Sequence, residues 1–411
     1  MKKIIVNLLL VLSSLVLGLL LCEFAVREFI FSKQDRASGA KELFYAYHDE
    51  FLGGLFQMGE SGCNYTDRLL AHPYFEFVYA RNRDCSLNVN AQGFQSLQDI
   101  PAERDPQFFT ILLSGGSVAD QLGYGPWVNI HSHLQTSWLE TELEAHYLSP
   151  NGSPFRVLNG AIGAWSLPNQ VNVLTEYGMS VDAFVNLDGY NEAIRVQNGD
   201  MLDSPDSNML LHLYAEKEGQ QWLRRLQSFR LFLVNESIFR NSFLAYYFFE
   251  KSMTNAVLGK KLTTARNEIG SYFQFPGNWT AEHRRVWNIA RYIHFEQQMQ
   301  TQSKLDQLYF AHFLQPMPLV DKKLTSEEAH SNHYVEGATY QWMMDAAKEL
   351  KHRGVATVSL VDIFQNEKGT IYGDNVHCKY VNGENPGYQI MAKRMGLELA
   401  KLWKLKTKVS E

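Results

Sequence analysis

Five short apolar runs recur between Phe108 and Asp362, and each is about the length of one strand. They are Phe108–Ser114 (FFTILLS), Phe155–Gly160 (FRVLNG), Asp182–Gly189 (DAFVNLDG), Leu305–Pro316 (LDQLYFAHFLQP) and Gly354–Asp362 (GVATVSLVD). Segments long enough for a helix divide them, as in the stretch through His131 to His146. Parallel neighbours need crossovers of this length, so the pattern predicts βαβ units. The expected fold class is therefore α/β, a three-layer sandwich around a central parallel sheet.

The interval from about Gly199 to Lys304 breaks that rhythm. Its LRRLQSFRLFLVNESIFRNSFLAYYFFEK reads as amphipathic helix, and a helical insertion capping the sheet is the expectation. FLAYYFFEK alternatively lies against a membrane surface. Before the first strand, residues 32–100 read as a membrane-proximal segment leading into a main domain over residues 101–405.

The N-terminus supplies the membrane. MKKIIVNLLLVLSSLVLGLLLCEF puts two lysines ahead of Ile4–Cys22, nineteen residues without a charge. At 1.5 Å per helical residue this nearly spans the roughly 30 Å hydrocarbon layer. Residues 1–31 are thus expected to be an uncleaved transmembrane anchor, with a cleaved signal as the alternative. Lys2 and Lys3 would stay in the cytoplasm and the remainder outside it.

Composition narrows the partners. A net charge of −6 without a dense Lys/Arg block excludes nucleic acid as the main ligand, because phosphate binding needs a basic face. Of four cysteines, Cys63 and Cys85 stand in one polar, turn-rich stretch. In an oxidising compartment they either close a disulfide or remain two thiols. No CxxC or HExxH spacing occurs, and His131–His133 (HSH) is isolated, so no metal is expected.

In an open parallel sheet, functional groups collect beyond the carboxyl ends of the strands. After the first run comes SGGSVADQLG, where Gly115 and Gly116 permit a tight turn and Ser117 opens a helix. The Ser117 N–H there suits an oxyanion, although an isolated GGS is equally a helix N-cap. NGAIGAWS (Asn159–Ser166) is a small-residue loop that lets backbone approach a ligand. DGYNEA supplies Asn191, an amide donor or an ordinary turn residue. Near the C-terminus, Asp374 and His377 are three apart, a spacing that puts both on one side of a helical turn. A hydroxyl nucleophile needs a base, and the base needs a carboxylate to fix its tautomer.

Taken in chain order, these four blocks resemble the SGNH hydrolases, also called the GDSL esterase superfamily, over roughly Phe108–Trp403. HPYFEFVYARN, NAQGFQS, HFLQPMP and VDIF look like phrases of a membrane-anchored bacterial branch. The resemblance implies a flavodoxin-like sheet and a triad of Ser117 as nucleophile, His377 as base and Asp374 as orienting acid, with no cofactor. It implies an oxyanion hole from the Ser117 N–H, the Asn191 amide and a loop N–H. Where the second block normally holds glycine this chain has Ala164, with Gly163 one residue earlier. Ala164 donates if its φ is negative, and Gly163 if the loop has shifted. Gly116 replaces the family's usual aspartate. Cys378, beside the base, is read as a packed thiol. Tyr190, Trp165 and Glu192 flank the presumed cleft as candidate substrate contacts.

With the anchor, the resemblance implies an extracytoplasmic serine esterase acting on O-acyl, chiefly acetyl, esters of a cell-surface glycan or lipid-linked substrate. An O-acyltransferase using a sugar hydroxyl in place of water is the alternative. A glycan-binding or assembly module that kept the fold without turnover is the second.

Overall fold

The computed structural model describes residues 2–31, 36, 39–40, 69–80, 88–124, 137–203, 241–253, 274–330, 335–381 and 384–408. The chain divides into two compact units, residues 1–67 with 207–272, and residues 68–206 with 273–411. Cys63, Cys85 and the HSH stretch lie outside the described residues.

In the first unit, Lys2–Phe29 forms one 28-residue helix that covers the whole uncharged stretch. No helix among the described residues is long and apolar enough to cross a membrane. The side chains of residues 1–10 and of Leu12, nearly half of the expected span, are outside those described. A second helix, Phe243–Met253, packs against the first. Glu23 anchors its start, accepting hydrogen bonds from the Phe243 and Leu244 N–H groups at 2.7 and 3.0 Å. A carboxylate at a helix N-terminus satisfies orphan donors and meets the positive end of the dipole.

The second unit begins with an antiparallel pair, β1 (Leu69–His72) and β2 (Glu76–Tyr79). Then come β3 (Phe109–Gly115), α1 (Ser117–Tyr124), α2 (Trp138–His146), β4 (Tyr147–Leu148), β5 (Phe155–Asn159) and α3 (Leu167–Tyr177). Next are β6 (Ala183–Asp188), α4 (Tyr190–Asn198), α5 (Ala281–Leu305), β7 (Tyr309–Leu314) and α6 (Pro318–Asp321). The chain closes with α7 (Gly337–His352), β8 (Thr357–Ser359), α8 (Pro386–Trp403) and β9 (Lys406–Thr407), which pairs with β4.

The five expected runs supply the five strands of one all-parallel sheet, in the order β5-β3-β6-β7-β8. Every residue of β3 and β6 is buried, because helices cover both faces. α1, α2 and α8 lie on one side, and α3, α5 and α7 on the other. The central parallel sheet with flanking helices is an α/β sandwich of the expected kind. The long fourth run yields only Tyr309–Leu314, since Leu305 completes α5 and Gln307 turns the chain with φ 57°.

Two expected boundaries move. The sequence expectation puts α5 inside the cap, yet it packs on α3, α7 and β7 through buried Tyr292, Ile293, Phe295 and Met299. The segment grouped apart from the sheet is 207–272 rather than 199–304. Likewise residues 68–100, expected to be membrane-proximal, belong to the sheet unit. Phe75, Phe77 and Phe94 form an aromatic cluster on Trp165, and its burial ties β1 and β2 to the sandwich.

The order places β3 at the switch point, since the chain leaves it for β5 on one side and returns to β6 on the other. Loops at the carboxyl ends of β3 and β6 therefore face one another, which is where such sheets bind ligands.

Candidate active site

The corner between β3 and α1 is crowded on both glycines before Ser117. Gly115 has φ +149°, and a β-carbon there would lie 2.0 Å from the Leu187 carbonyl oxygen of neighbouring β6. A β-carbon on Gly116 would lie 2.5 Å from Asn191 Nδ2 and 3.2 Å from the Trp165 carbonyl oxygen. A side chain at 116, such as aspartate, would have to displace the Asn191 amide. Ser117 is then the first residue of α1, half-buried at the sheet's edge.

The structure brings Ser117, His377 and Asp374 together. His377 Nε2 lies 2.6 Å from Ser117 Oγ, and His377 Nδ1 lies 2.7 Å from Asp374 Oδ2. With Nδ1–H donating to the carboxylate, Nε2 carries the lone pair that faces the hydroxyl. The expected helical turn is absent. Instead Asp374 Oδ1 accepts the N–H groups of Val376 and His377 at 2.8 and 2.7 Å, an Asx-type turn across a Tyr372–Cys378 bridge. Burial by itself raises the Asp374 carboxyl, but the His377 hydrogen bond, its charge and those two N–H groups reverse this and hold it below the usual carboxylate range. Cys378 points the other way. It is buried against Gly387, and burial pushes its thiol well up, so it is a packed thiol.

Asn191 stands in the first turn of α4, half-buried, and its Nδ2 donates to the Trp165 carbonyl at 2.7 Å. That bond uses one of two amide hydrogens, leaving the other beside Gly116. The loop carrying Gly163 and Ala164 is tied along the same corner. The Gly160 N–H donates to the Leu113 carbonyl at 2.8 Å, and the Trp165 N–H closes a turn onto Ile162 at 3.2 Å. Ala164 occupies the third position of this turn with φ +67°. The condition that would favour Ala164 over Gly163, a negative φ, is not met. Alanine here takes the left-handed conformation that a type II turn demands at this position.

The three candidate substrate contacts are not in the cleft. Trp165 is 1% exposed within the cluster of Phe75, Phe77 and Phe94. Tyr190 is 4% and Glu192 1% exposed, on the core-facing side of α4. Glu192 Oε2 accepts the Gly189 N–H at 2.8 Å, and burial followed by the Asp188 charge pushes its carboxyl up to about 8. A helix that opens at a strand's end must bury one face against that sheet, and positions 190, 192, 193 and 196 form it.

Residues absent from the sequence expectations support the nucleophile. Asp120, one turn along α1 from Ser117, accepts hydrogen bonds from Tyr79 Oη at 2.6 Å and Asn159 Nδ2 at 2.7 Å. Burial raises its carboxyl to about 6, moderated by those two donors and by His377. An acid in a helix's first turn is too common a pattern to have marked it. Tyr388 Oη, from α8, donates to Gln121 Oε1 at 2.8 Å.

Beneath α4, the donor atoms of Asp188, Glu296 and His312 lie within 4.8 Å of one another, a grouping with metal-ligand chemistry. Most of its atoms are already engaged. Tyr292 Oη donates to Asp188 Oδ1 at 2.8 Å, His312 Nε2 meets the same oxygen at 3.1 Å, and Asn186 Nδ2 donates to both carboxylates at 2.7 Å. Burial, with the Asp188 charge, pushes the Glu296 carboxyl well up, whereas the adjacent His312 outweighs burial and draws Asp188 down. These bonds join the three groups into one buried network, in which Glu296 Oε2 and Asn186 Oδ1 have no hydrogen-bond partner.

No protein-family model matches the chain, and no curated protein matches it. Solved structures are similar to it at low identity. One is an acetylxylan esterase from Geobacillus stearothermophilus, 12% identical over 71% of this chain and 93% of that one, with a TM-score of 0.34. Another is a GDSL-like lipase from Parabacteroides merdae, 12% identical over 74% and 100%, with a TM-score of 0.36. A third is an acylhydrolase from Bacteroides fragilis, 11% identical over 74% and 91%, with a TM-score of 0.35. The strand order puts the Ser117 corner at the switch point of a parallel α/β sandwich, and the DxxH loop closes on it.

Proposed function

We propose that the chain is a serine acylhydrolase acting on O-acyl esters. The observation that carries this reading is the continuous relay Asp374–His377–Ser117, with heavy-atom separations of 2.7 and 2.6 Å. A binding module has no need of a base on a hydroxyl.

The chemistry is set by the atoms. His377 Nε2 takes the Ser117 proton as Oγ bonds to the ester carbonyl carbon. The carbonyl π pair moves to oxygen, and the Asn191 amide and the backbone N–H at the head of α1 stabilise the resulting oxyanion. Asp374 steadies the imidazolium. As the pair returns, the carbon–oxygen bond to the alcohol breaks and His377 Nε2–H protonates the departing oxygen. Water then repeats the cycle on the acyl-serine and releases a carboxylic acid. A sugar hydroxyl entering in place of water would make the same site an O-acyltransferase.

The substrate in this reading is an acetylated glycan or lipid-linked acyl group outside the cytoplasm, with Lys2–Phe29 as anchor. The support for the anchor alone is that one continuous helix covers all nineteen uncharged residues from Ile4 to Cys22. Carbonate-washed membranes should retain the full chain, and recovery in the wash would remove the anchor from the account. For the chemistry, wild type and Ser117→Ala are given p-nitrophenyl acetate with and without an oligosaccharide acceptor. Release of p-nitrophenol that disappears in the variant supports the acyl-enzyme, and acetyl found on the sugar makes it a transferase. Equal background rates from both proteins contradict the reading.

A further inference from the structure

The loop that presents Asp374 and His377 hangs on a charge pair the chemistry does not touch. Lys322 and Glu328 form an ion pair, with Nζ 2.8 Å from each carboxylate oxygen and both side chains fully buried. Glu328 Oε1 accepts the N–H groups of Ile371 and Tyr372 at 2.8 and 3.0 Å. Its Oε2 accepts the Thr325 N–H at 2.8 Å. Lys322 Nζ also donates to the Gly369 carbonyl at 2.7 Å. One buried carboxylate and its ammonium thus hold the chain at 369, 371 and 372, immediately before Asp374.

The far end of the loop is held from the adjacent residue. Glu327 pairs with Lys379, two positions after His377, and also accepts from Thr370 Oγ1 at 3.2 Å. Within the loop, the Lys379 N–H donates to the Ile371 carbonyl at 2.7 Å and the Gly373 N–H to the His377 carbonyl at 2.9 Å. Burial would raise the Glu328 carboxyl, but Lys322 and the three N–H groups draw it down to about 2.

Buried ion pairs contribute little net stability, since desolvation offsets their attraction, and an apolar pair of similar volume often replaces them well. What an apolar pair cannot supply is an acceptor for two backbone N–H groups. We propose that Glu328, held by Lys322, is a positioning residue that sets the Asp374–His377 loop against Ser117. This rests on the acylhydrolase reading. Reacting groups displaced by about 1 Å lose on the order of 10² in rate.

The test uses the charge-free pair Glu328→Leu/Lys322→Met in the full chain, which leaves no unpaired buried charge if one partner alone prevents folding. The variant should keep the wild-type far-UV circular dichroism and bind p-nitrophenyl acetate with KM within twofold, while kcat falls at least tenfold. Amide exchange over residues 369–379 should accelerate, with exchange in β3 and β6 unchanged. In an Asp374→Ala background the same pair should lower kcat less than twofold, because the loop's contribution is already lost. An unchanged kcat, a loss confined to KM, unchanged exchange, or an equal fold-loss in the Asp374→Ala background would each overturn the proposal. An inert but folded wild type overturns the acylhydrolase reading instead, so the two failures are distinct.

Discussion

Asn191 occupies the space that any side chain at Gly116 would need, its Nδ2 lying 2.5 Å from the point a β-carbon would take. The amide that faces the nucleophile corner and the glycine before the nucleophile are therefore one constraint. Gly116→Ala should displace Asn191 from its bond to the Trp165 carbonyl and lower kcat by about 10²-fold, the typical loss of one oxyanion donor. Steady-state kinetics on p-nitrophenyl acetate measure it, and a kcat within threefold of wild type would show that Asn191 does not serve the oxyanion.

Asp374→Asn keeps the shape of the Asx turn but removes the carboxylate from His377 Nδ1. The loss should fall on kcat, by about 10²–10⁴-fold, because the imidazolium is unsupported and its tautomer no longer fixed. KM should stay within a few fold. Equal losses in both constants would point to a collapsed loop, which circular dichroism and amide exchange would detect.

Ala164 holds φ +67° without being glycine. The left-handed conformation costs an L-residue roughly 1–2 kcal/mol, and glycine's extra freedom in the unfolded chain takes back about 0.4–1 kcal/mol. Ala164→Gly should therefore stabilise the sheet unit by about 0.5–1 kcal/mol, read as a higher urea midpoint at constant slope. A lower midpoint would contradict the strain assigned to this turn.

Stability should fall from slightly acid to slightly alkaline pH. Asp120 is raised to about 6, Glu140 and Asp321 to about 7 and Glu192 to about 8, each first by burial. Groups raised in the fold bind protons more tightly than in the unfolded chain. Their contribution is present when they are protonated and is lost as pH rises through 6 to 8. Glu328, drawn down to about 2, acts with opposite sign: its contribution is present above the unfolded carboxylate range and disappears as pH falls toward 2. The unfolding temperature should be higher at pH 5.5 than at pH 8.5 and fall again below pH 4. A flat or rising profile from 5.5 to 8.5 would contradict these burial shifts.

The sheet was legible because its strands are largely apolar on both faces, as the runs of β3 and β6 show. The triad was legible because its parts follow strand ends in a fixed order. Side-chain direction was not. Trp165, Tyr190 and Glu192 sit beside site residues in sequence, but the turn at Ala164 and the phase of α4 aim them into the core, and neither is set locally. α5 was misplaced because its long polar face resembles a cap helix until β7 and α7 are there to cover its other side. Glu328 left no pattern to read, since it works by accepting backbone N–H groups some forty residues away. Cys63 and Cys85, a disulfide or two thiols by the sequence, lie outside the described residues.

The central claim is that Ser117 is activated by His377, and a fluorophosphonate probe tests it most directly. The full chain, Ser117→Ala and His377→Ala would each be incubated with the probe and digested, and the adduct located by mass spectrometry. The account predicts one adduct, on Ser117 of the wild type, absent from both variants. A folded wild type that stays unlabelled, or an adduct that persists in His377→Ala at the wild-type rate, would contradict it.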